Sequence, residues 1–301
     1  MTALAPTIPL DAPPALTIRA ARDTPPPGWD ARACAAGGNV FHGSAWGRVL
    51  AASGREPWFL EILSRGEPVG FAVAGGARSR LPIVGPRRSE LALNTTPWLA
   101  PSVDLGDAVR ALRPVARARG FGWLECSAFA TLRAAETRAL GALGFTLRPR
   151  LEFPMPLGAT LHETMGTMSA QHRRNVRKAL DEGFTFREES TLAGAMRLRA
   201  LQDTTYGRRW ARGHTHARPV PRLEYRRTMQ AWLDARSMRF WFAERDGVTQ
   251  SALGILLFGA RAYYLVGGTS AEGYRSRAAF AAFGHVIEQL CGAGITELHL
   301  G

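Results

Sequence analysis

Lysine is almost missing from this chain: Lys178 stands alone among 38 basic side chains. The formal net charge of +13 is therefore an arginine charge. A chain-wide arginine, alanine and glycine bias can reflect base composition, so the total says little about partners. Cysteine is scarce as well. Cys34, Cys126 and Cys291 are far apart and odd in number, which excludes a disulfide framework and a C-x-x-C metal knuckle. A reduced, cytoplasmic compartment is expected. No apolar run approaches the ~18 residues of a membrane span; the longest, Ala252 to Phe258, is broken by Gly254. Residues 1–14 carry neither the basic patch nor the apolar stretch of a secretion signal, and their Ala/Pro composition predicts a disordered tail. No Ser/His/Asp order or Cys/His pair suggests covalent catalysis. His214-x-His216 has no third ligand at metal-site spacing, so no metal is expected.

What is present suits a globular α/β protein. The apolar fraction of 46% supplies a core for each of about two domains, the number that 301 residues imply. Two passes of one order of elements are legible. In the first, a strand over 16–20 precedes a helix from Ser44 to Ala52. Strands over 58–63 and 69–74 follow, joined by Arg65-Gly66-Glu67-Pro68. Beyond an irregular stretch to Pro101 come a helix over 107–119, a strand over 123–127, a helix over 132–143 and a last strand over 145–153. In the second pass, helices over 191–206 and 222–235 precede strands over 239–244 and 249–258. Asp246-Gly247 joins these two strands as a hairpin turn. A strand over 262–266, a helix over 275–290 and a strand over 296–300 complete it. Between the passes, Thr160 and Glu163 form a capping-box pattern, and Ser169 caps a helix stopped at Gly183.

The bridge carries a resemblance. Met168-Ser-Ala-Gln-His-Arg-Arg-Asn-Val-Arg-Lys-Ala-Leu-Asp-Glu-Gly183 resembles the Ser…Arg-Arg-Asn-Val/Ile-Arg/Lys-Lys-Ala…Gly signature of FemAB-like proteins and related two-domain GNAT (Gcn5-related N-acetyltransferase) enzymes. Phe41-His-Gly-Ser-Ala-Trp46, Trp123-Leu-Glu125, Tyr263-Tyr-Leu-Val-Gly-Gly-Thr269 and Gly294-Ile-Thr-Glu-Leu-His-Leu-Gly301 follow the same order. The resemblance implies two tandem GNAT-like domains over 15–155 and 191–301, joined by bridging helices over 156–190. Each would hold a mixed, mostly antiparallel sheet flanked by helices, the second without its last helix and strand. It also implies transfer of an acyl group to an amine. The co-substrate is acyl-CoA in one branch and aminoacyl-tRNA in another, with no permanently bound cofactor. The acceptor is an anionic small molecule or a cell-envelope or polysaccharide precursor; tRNA is a further partner, and DNA is not. A non-catalytic RNA-binding or degenerate GNAT-fold protein is the alternative.

Charge is uneven along the chain. Residues 170–230 hold 14 basic and 6 acidic side chains, which is +8 of the total +13, an excess suited to a polyanion or a phosphorylated co-substrate. Arg173, Arg174, Arg177 and Lys178 cluster on roughly one face of the bridge helix and are candidate acceptor ligands, or else a solvated surface. Tyr206 and Arg209 open a stretch to Arg218 that mixes aromatics with arginines, the combination that binds nucleotides. Gly267, Gly268, Thr269 and Arg275 lie where backbone N–H groups before a helix can hold a pyrophosphate; a strand-end turn explains the glycines equally. The usual GNAT phosphate loop, Arg/Gln-x-x-Gly-x-Gly/Ala, is replaced by Glu272-Gly-Tyr-Arg-Ser-Arg-Ala278. Tyr264 and Glu244 are the candidate proton-handling groups on the central sheet.

Overall fold

The computed structural model describes residues 16–79, 89–129, 132–149, 151–213 and 219–301. Its two sheets are built to one plan. In the first, β1 (Thr17–Arg22) pairs antiparallel with β2 (Glu56–Ser64), β2 with β3 (Glu67–Ala77) and β3 with β4 (Glu90–Leu93). The next neighbour, β6 (Trp123–Cys126), runs parallel to β4, and a two-residue β5 (Trp98–Leu99) pairs off β3. The β2–β3 turn puts Arg65 and Gly66 at φ 53° and 88°, the paired left-handed residues of a tight hairpin. Between β1 and β2 lie α1 (Trp29–Ala35), a 3-10 turn (Val40–His42) and α2 (Ser44–Ala52). Between the parallel strands lies α3 (Leu105–Ala118), whose Leu112 and Ala116 pack on Trp58, Leu60, Ala72, Ala74, Leu91 and Leu93. Next comes α4 (Ala134–Ala142), whose Leu140 joins Leu105 and Val109 of α3.

The second sheet runs β7 (Pro154–Pro156), β12 (Glu297–His299), β11 (Arg261–Thr269), β10 (Val248–Phe258), β9 (Met238–Arg245), β8 (Thr185–Glu189). Again three antiparallel pairs lead to one parallel pair, β11 with β12. Asp246 and Gly247 sit at φ 54° and 73°, the hairpin the sequence predicts. Two of this sheet's helical insertions, between the first two strands and between the parallel pair, match those of the first sheet. Ahead of β8 come α5 (Leu161–Gly166) and α6 (Ala170–Leu180). Between β8 and β9 come α7 (Leu192–Ala211) and α8 (Arg222–Asp234). Between β11 and β12 come α9 (Ala271–Arg275) and α10 (Ala278–Gly292). One face of this sheet packs Trp241, Leu253, Ile255 and Ala262 against Val286, Ile287 and Leu290 of α10 and Ala179 of α6. Among the described residues, no helix is long and apolar enough to cross a membrane.

The chain's path differs from the sequence reading in two places. Contacts group residues 27–55 with 148–301, and the remainder up to residue 147 into the other unit, whereas the sequence draws one domain over 15–155. The reason is α2, which packs against α8: Trp46 stacks on the fully buried Trp232, ring centroids 5.9 Å apart. Second, no strand forms over the described residues of 145–153. Instead β7, just beyond, pairs antiparallel with β12 through Pro156–Glu297, Met155–Leu298 and Pro154–His299. Two prolines suit only an edge strand, and β7 occupies that edge.

Candidate active site

Along its whole length β11 pairs with β10, but β12 accompanies it only from Arg261 to Tyr263. Beyond Tyr263 that edge of β11 has no strand partner among the described residues. The Tyr264 ring lies against Phe283 of α10, centroids 5.2 Å apart. Its hydroxyl reaches back over Gly267, where an added Cβ would stand 2.4 Å away. Glycine at 267 therefore makes room for the tyrosine. Burial raises the Tyr264 pKa above the ordinary value; the Arg209 charge opposes the rise and Tyr206 adds to it. Three of the sequence-predicted residues, Tyr264, Tyr206 and Arg209, thus come within electrostatic range of one another.

Gly267 and Gly268 sit inside the β10–β11 ladder, opposite Leu253 and Ala252, and do not form the phosphate-binding turn considered from sequence. A Cβ on Gly268 would meet α7 backbone at Leu201 and Gln202 at 2.7 Å, so this glycine lets helix and strand touch. Thr269 ends β11 in a tether to α7. Its carbonyl accepts from Arg208 Nη2 at 2.6 Å and from Thr205 Oγ1 at 3.3 Å, and its N–H donates to Thr205 Oγ1 at 3.3 Å. Next, Ser270 caps α9 through the Gly273 N–H and donates to Gln250 Oε1 at 2.6 Å. Arg275 is committed to Glu272, which Arg245 also holds at 3.1 Å. Those guanidinium contacts, Arg275 first, lower the Glu272 pKa. Arg277 follows in the left-handed region at φ 58° and starts α10 without a side-chain cap. The first N–H groups of such a helix have no acceptor within it.

Glu244 is placed apart. It lies on β9, with β10 between it and β11, and Oε1 accepts from Arg187 at 2.7 Å and Thr249 at 3.0 Å. On α6, Val176 and Ala179 face inward, Val176 against Gly284, where a Cβ would stand 2.8 Å from it. That leaves Arg174, Arg177 and Lys178 exposed together. Arg174 contacts Gln171, while the half-buried Arg173 donates to the Met168 carbonyl at 2.6 Å. His214 and His216 lie outside the described residues, among which no group of three His, Cys, Asp or Glu could hold a metal. Arg208, Tyr274, Arg245 and Arg277 escaped the sequence reading. Arg208 stood within a stretch already singled out, and Tyr274 and Arg277 stand beside Arg275, which the sequence did nominate.

Residues 167–301 match the acetyltransferase (GNAT) domain family. This part of the chain is similar to a GNAT domain. Strands β11 and β12, with Tyr264, lie within the matched residues. The crystal structure of FemX superposes on this chain with a TM-score of 0.70 at 13% identity, over 90% of this chain and 87% of that one. The C-terminal (DUF2156) domain of a putative lysylphosphatidylglycerol synthetase from Agrobacterium fabrum gives 0.50 at 15% identity, over 90% and 79%. At such identities the likeness is one of fold. No curated protein matches the sequence. The chain therefore has a FemX-like fold of two mixed sheets, and its residues 167–301 are similar to the acetyltransferase (GNAT) domain, the direction in which the bridge motif points.

Proposed function

We propose that this protein is an N-acyltransferase that moves an acyl or aminoacyl group from a CoA thioester or an aminoacyl-tRNA to an amine of an anionic cell-envelope or polysaccharide precursor. The observation that carries the reading is the similarity of residues 167–301 to the acetyltransferase (GNAT) domain, within which Tyr264, Tyr206 and Arg209 come into electrostatic range of one another. Acyl transfer of this kind needs fixed N–H donors for the oxygen that turns negative when an amine attacks a carbonyl. The new C–N bond forms, the C–S or C–O bond to the donor breaks, and the proton that the amine loses passes to solvent, from which Tyr264 is reprotonated after it protonates the leaving group. Tyr264, kept protonated by burial, is suited to return a proton to the departing sulfur or ribose oxygen. The exposed Arg174, Arg177 and Lys178 on α6 supply the charge that an anionic acceptor requires. A lysylphosphatidylglycerol synthetase among proteins of this fold is consistent with an aminoacyl donor and a cell-envelope acceptor.

The test is to incubate the full chain separately with radiolabelled acetyl-CoA and radiolabelled aminoacyl-tRNA, each with amine-bearing cell-envelope precursors. Label on the acceptor from either donor supports the proposal. Tight binding of uncharged RNA with no transfer from either donor would favour a non-catalytic RNA-binding protein and overturn it.

A further inference from the structure

Three large apolar side chains stand in water at one end of the α7–α8 pair. The two helices run antiparallel: the Tyr225 hydroxyl donates to the Ala195 carbonyl at 3.3 Å, and Arg222 reaches Asp203 at 2.7 Å. Moving toward the C-terminus of α7 therefore means moving toward the N-terminus of α8. Trp210 lies about two turns beyond Asp203. It is 44% exposed, its ring 6.4 Å from that of Tyr206. At the start of α8, Val220 is 45% and Leu223 61% exposed. An exposed leucine by itself is ordinary. The setting of these three is not.

Tyr225, Met229 and Trp232 form the buried side of α8, which leaves Leu223, Arg226 and Arg227 together on its outer face at i, i+3 and i+4. Residues 206–213 and 219–227 carry six arginines and one acid, Glu224. On α7, Asp203 is already engaged by Arg199 and Arg222. Arg209, Arg226 and Arg227 are exposed with no ion-pair partner among the described residues. The helix dipole favours arginine at the end of α7 but gives no such help in the first two turns of α8. Nor does the fold gain from apolar side chains held in water.

An anionic bilayer surface calls for this combination. Arginines meet lipid phosphates, tryptophan settles at headgroup level, and aliphatic side chains enter the acyl boundary. We infer that this end of the α7–α8 pair docks on an anionic membrane. Arg209, Arg226 and Arg227 lie among the lipid phosphates, and Trp210, Val220 and Leu223 in the interfacial layer. RNA would also use the arginines and stack a base on Trp210, but it leaves Val220 and Leu223 without a role. The inference goes beyond the acyl-transfer reading and does not depend on it.

The experiment sediments the full chain with vesicles of phosphatidylcholine alone and of equal parts phosphatidylcholine and phosphatidylglycerol. The proteins are the wild type, the double variant Arg226→Ala with Arg227→Ala, Leu223→Ser and, as a control on α3, the exposed Arg117→Ala. A melting temperature is recorded for each, and an uncharged RNA minihelix is titrated in parallel. The wild type binds the phosphatidylglycerol vesicles and not the neutral ones. Each arginine removed weakens that binding by roughly fivefold, so the double variant loses about 25-fold. Leu223→Ser loses about fivefold or more and keeps that loss at high salt, where the arginine contribution is screened. Arg117→Ala binds like the wild type, and all four proteins melt alike. Absence of binding to the anionic vesicles overturns the inference, as does equal binding to the neutral ones. Vesicle binding that ignores Arg226, Arg227 and Leu223, or that falls as far in Arg117→Ala, overturns it as well. RNA binding that needs Arg226 and Arg227 but not Leu223, with vesicles left unbound, would make this surface an RNA contact instead.

Discussion

At the scale of single residues, side chains that already have work in the fold are separate from those that face solvent with capacity to spare. Arg173 is bound to the Met168 carbonyl, whereas Arg177 and Lys178 are exposed on α6 with no ion-pair partner among the described residues. Arg174→Ala and Arg177→Ala should each weaken acceptor binding by about 1.5–3 kcal/mol, the loss of one charged hydrogen bond. Their melting temperatures should match the wild type. An unchanged acceptor KM in both variants would reduce this face to ordinary surface. A second prediction concerns alkali. Burial pushes the Tyr263 pKa up to about 12 and also raises those of Tyr225 and Tyr264. In the unfolded chain these phenols ionise near their ordinary value of about 10. The folded state holds the protons longer, so their contribution is intact below pH ~10 and lost as pH climbs toward 12. The melting temperature, followed by circular dichroism, should fall by roughly 5 °C or more across that window; a flat profile would contradict the burial of these rings. Sequence alone could find Tyr264, Tyr206 and Arg209, because polar and aromatic types stand out from an apolar strand and a basic helix. It could not find the Arg208–Thr269 tether. That depends on one helix meeting a strand end that is 61 residues further along the chain.

At the scale of elements, the hairpins and the long amphipathic helices were legible because each carries its own local signal. Asp246-Gly247 is such a signal, and so is the apolar repeat through Phe283, Ile287 and Leu290. Strand β8 was not. The sequence reading assigned no element to Thr-Phe-Arg-Glu-Glu, yet its charges pair across the ladder, Arg187 with Glu244 and Glu188 with Arg239. Charged edge strands are common because they discourage further pairing. Gly267 and Gly268 of β11 read as a turn, but in fact they permit close approach, as does Gly273 of α9. Gly268→Ala should destabilise the protein by about 1–3 kcal/mol, since its methyl meets α7 backbone that cannot yield as a side chain tip would. Gly273→Ala should cost at least as much, its Cβ falling 2.2 Å from the Gln250 carbonyl oxygen. Chemical denaturation would measure both. If Gly268→Ala melts like the wild type, α7 does not rest on β11 as described.

At the scale of the whole molecule, no local pattern revealed that residues 27–55 pack with the second half of the chain. Helix α2 looks like any amphipathic helix, and only its meeting with α8 discloses its place. Residues 148–301 produced without that segment should expose the face of Trp232 that Trp46 covers. Such a fragment should bind more of a hydrophobic dye and melt lower than the intact chain. Adding a peptide of residues 27–55 should reverse both changes, and equal melting with and without the segment would refute the packing. The same feature bears on how the protein comes into being. Roughly 170 residues separate the end of α2 at Ala52 from the start of α8 at Arg222. At about 5–20 residues per second, a ribosome takes on the order of 10–30 seconds to bridge that gap. For all that time α2 has emerged while its partner is not yet made. The nascent chain must carry an apolar helix through most of its own synthesis, which makes this segment the natural place for a chaperone to wait.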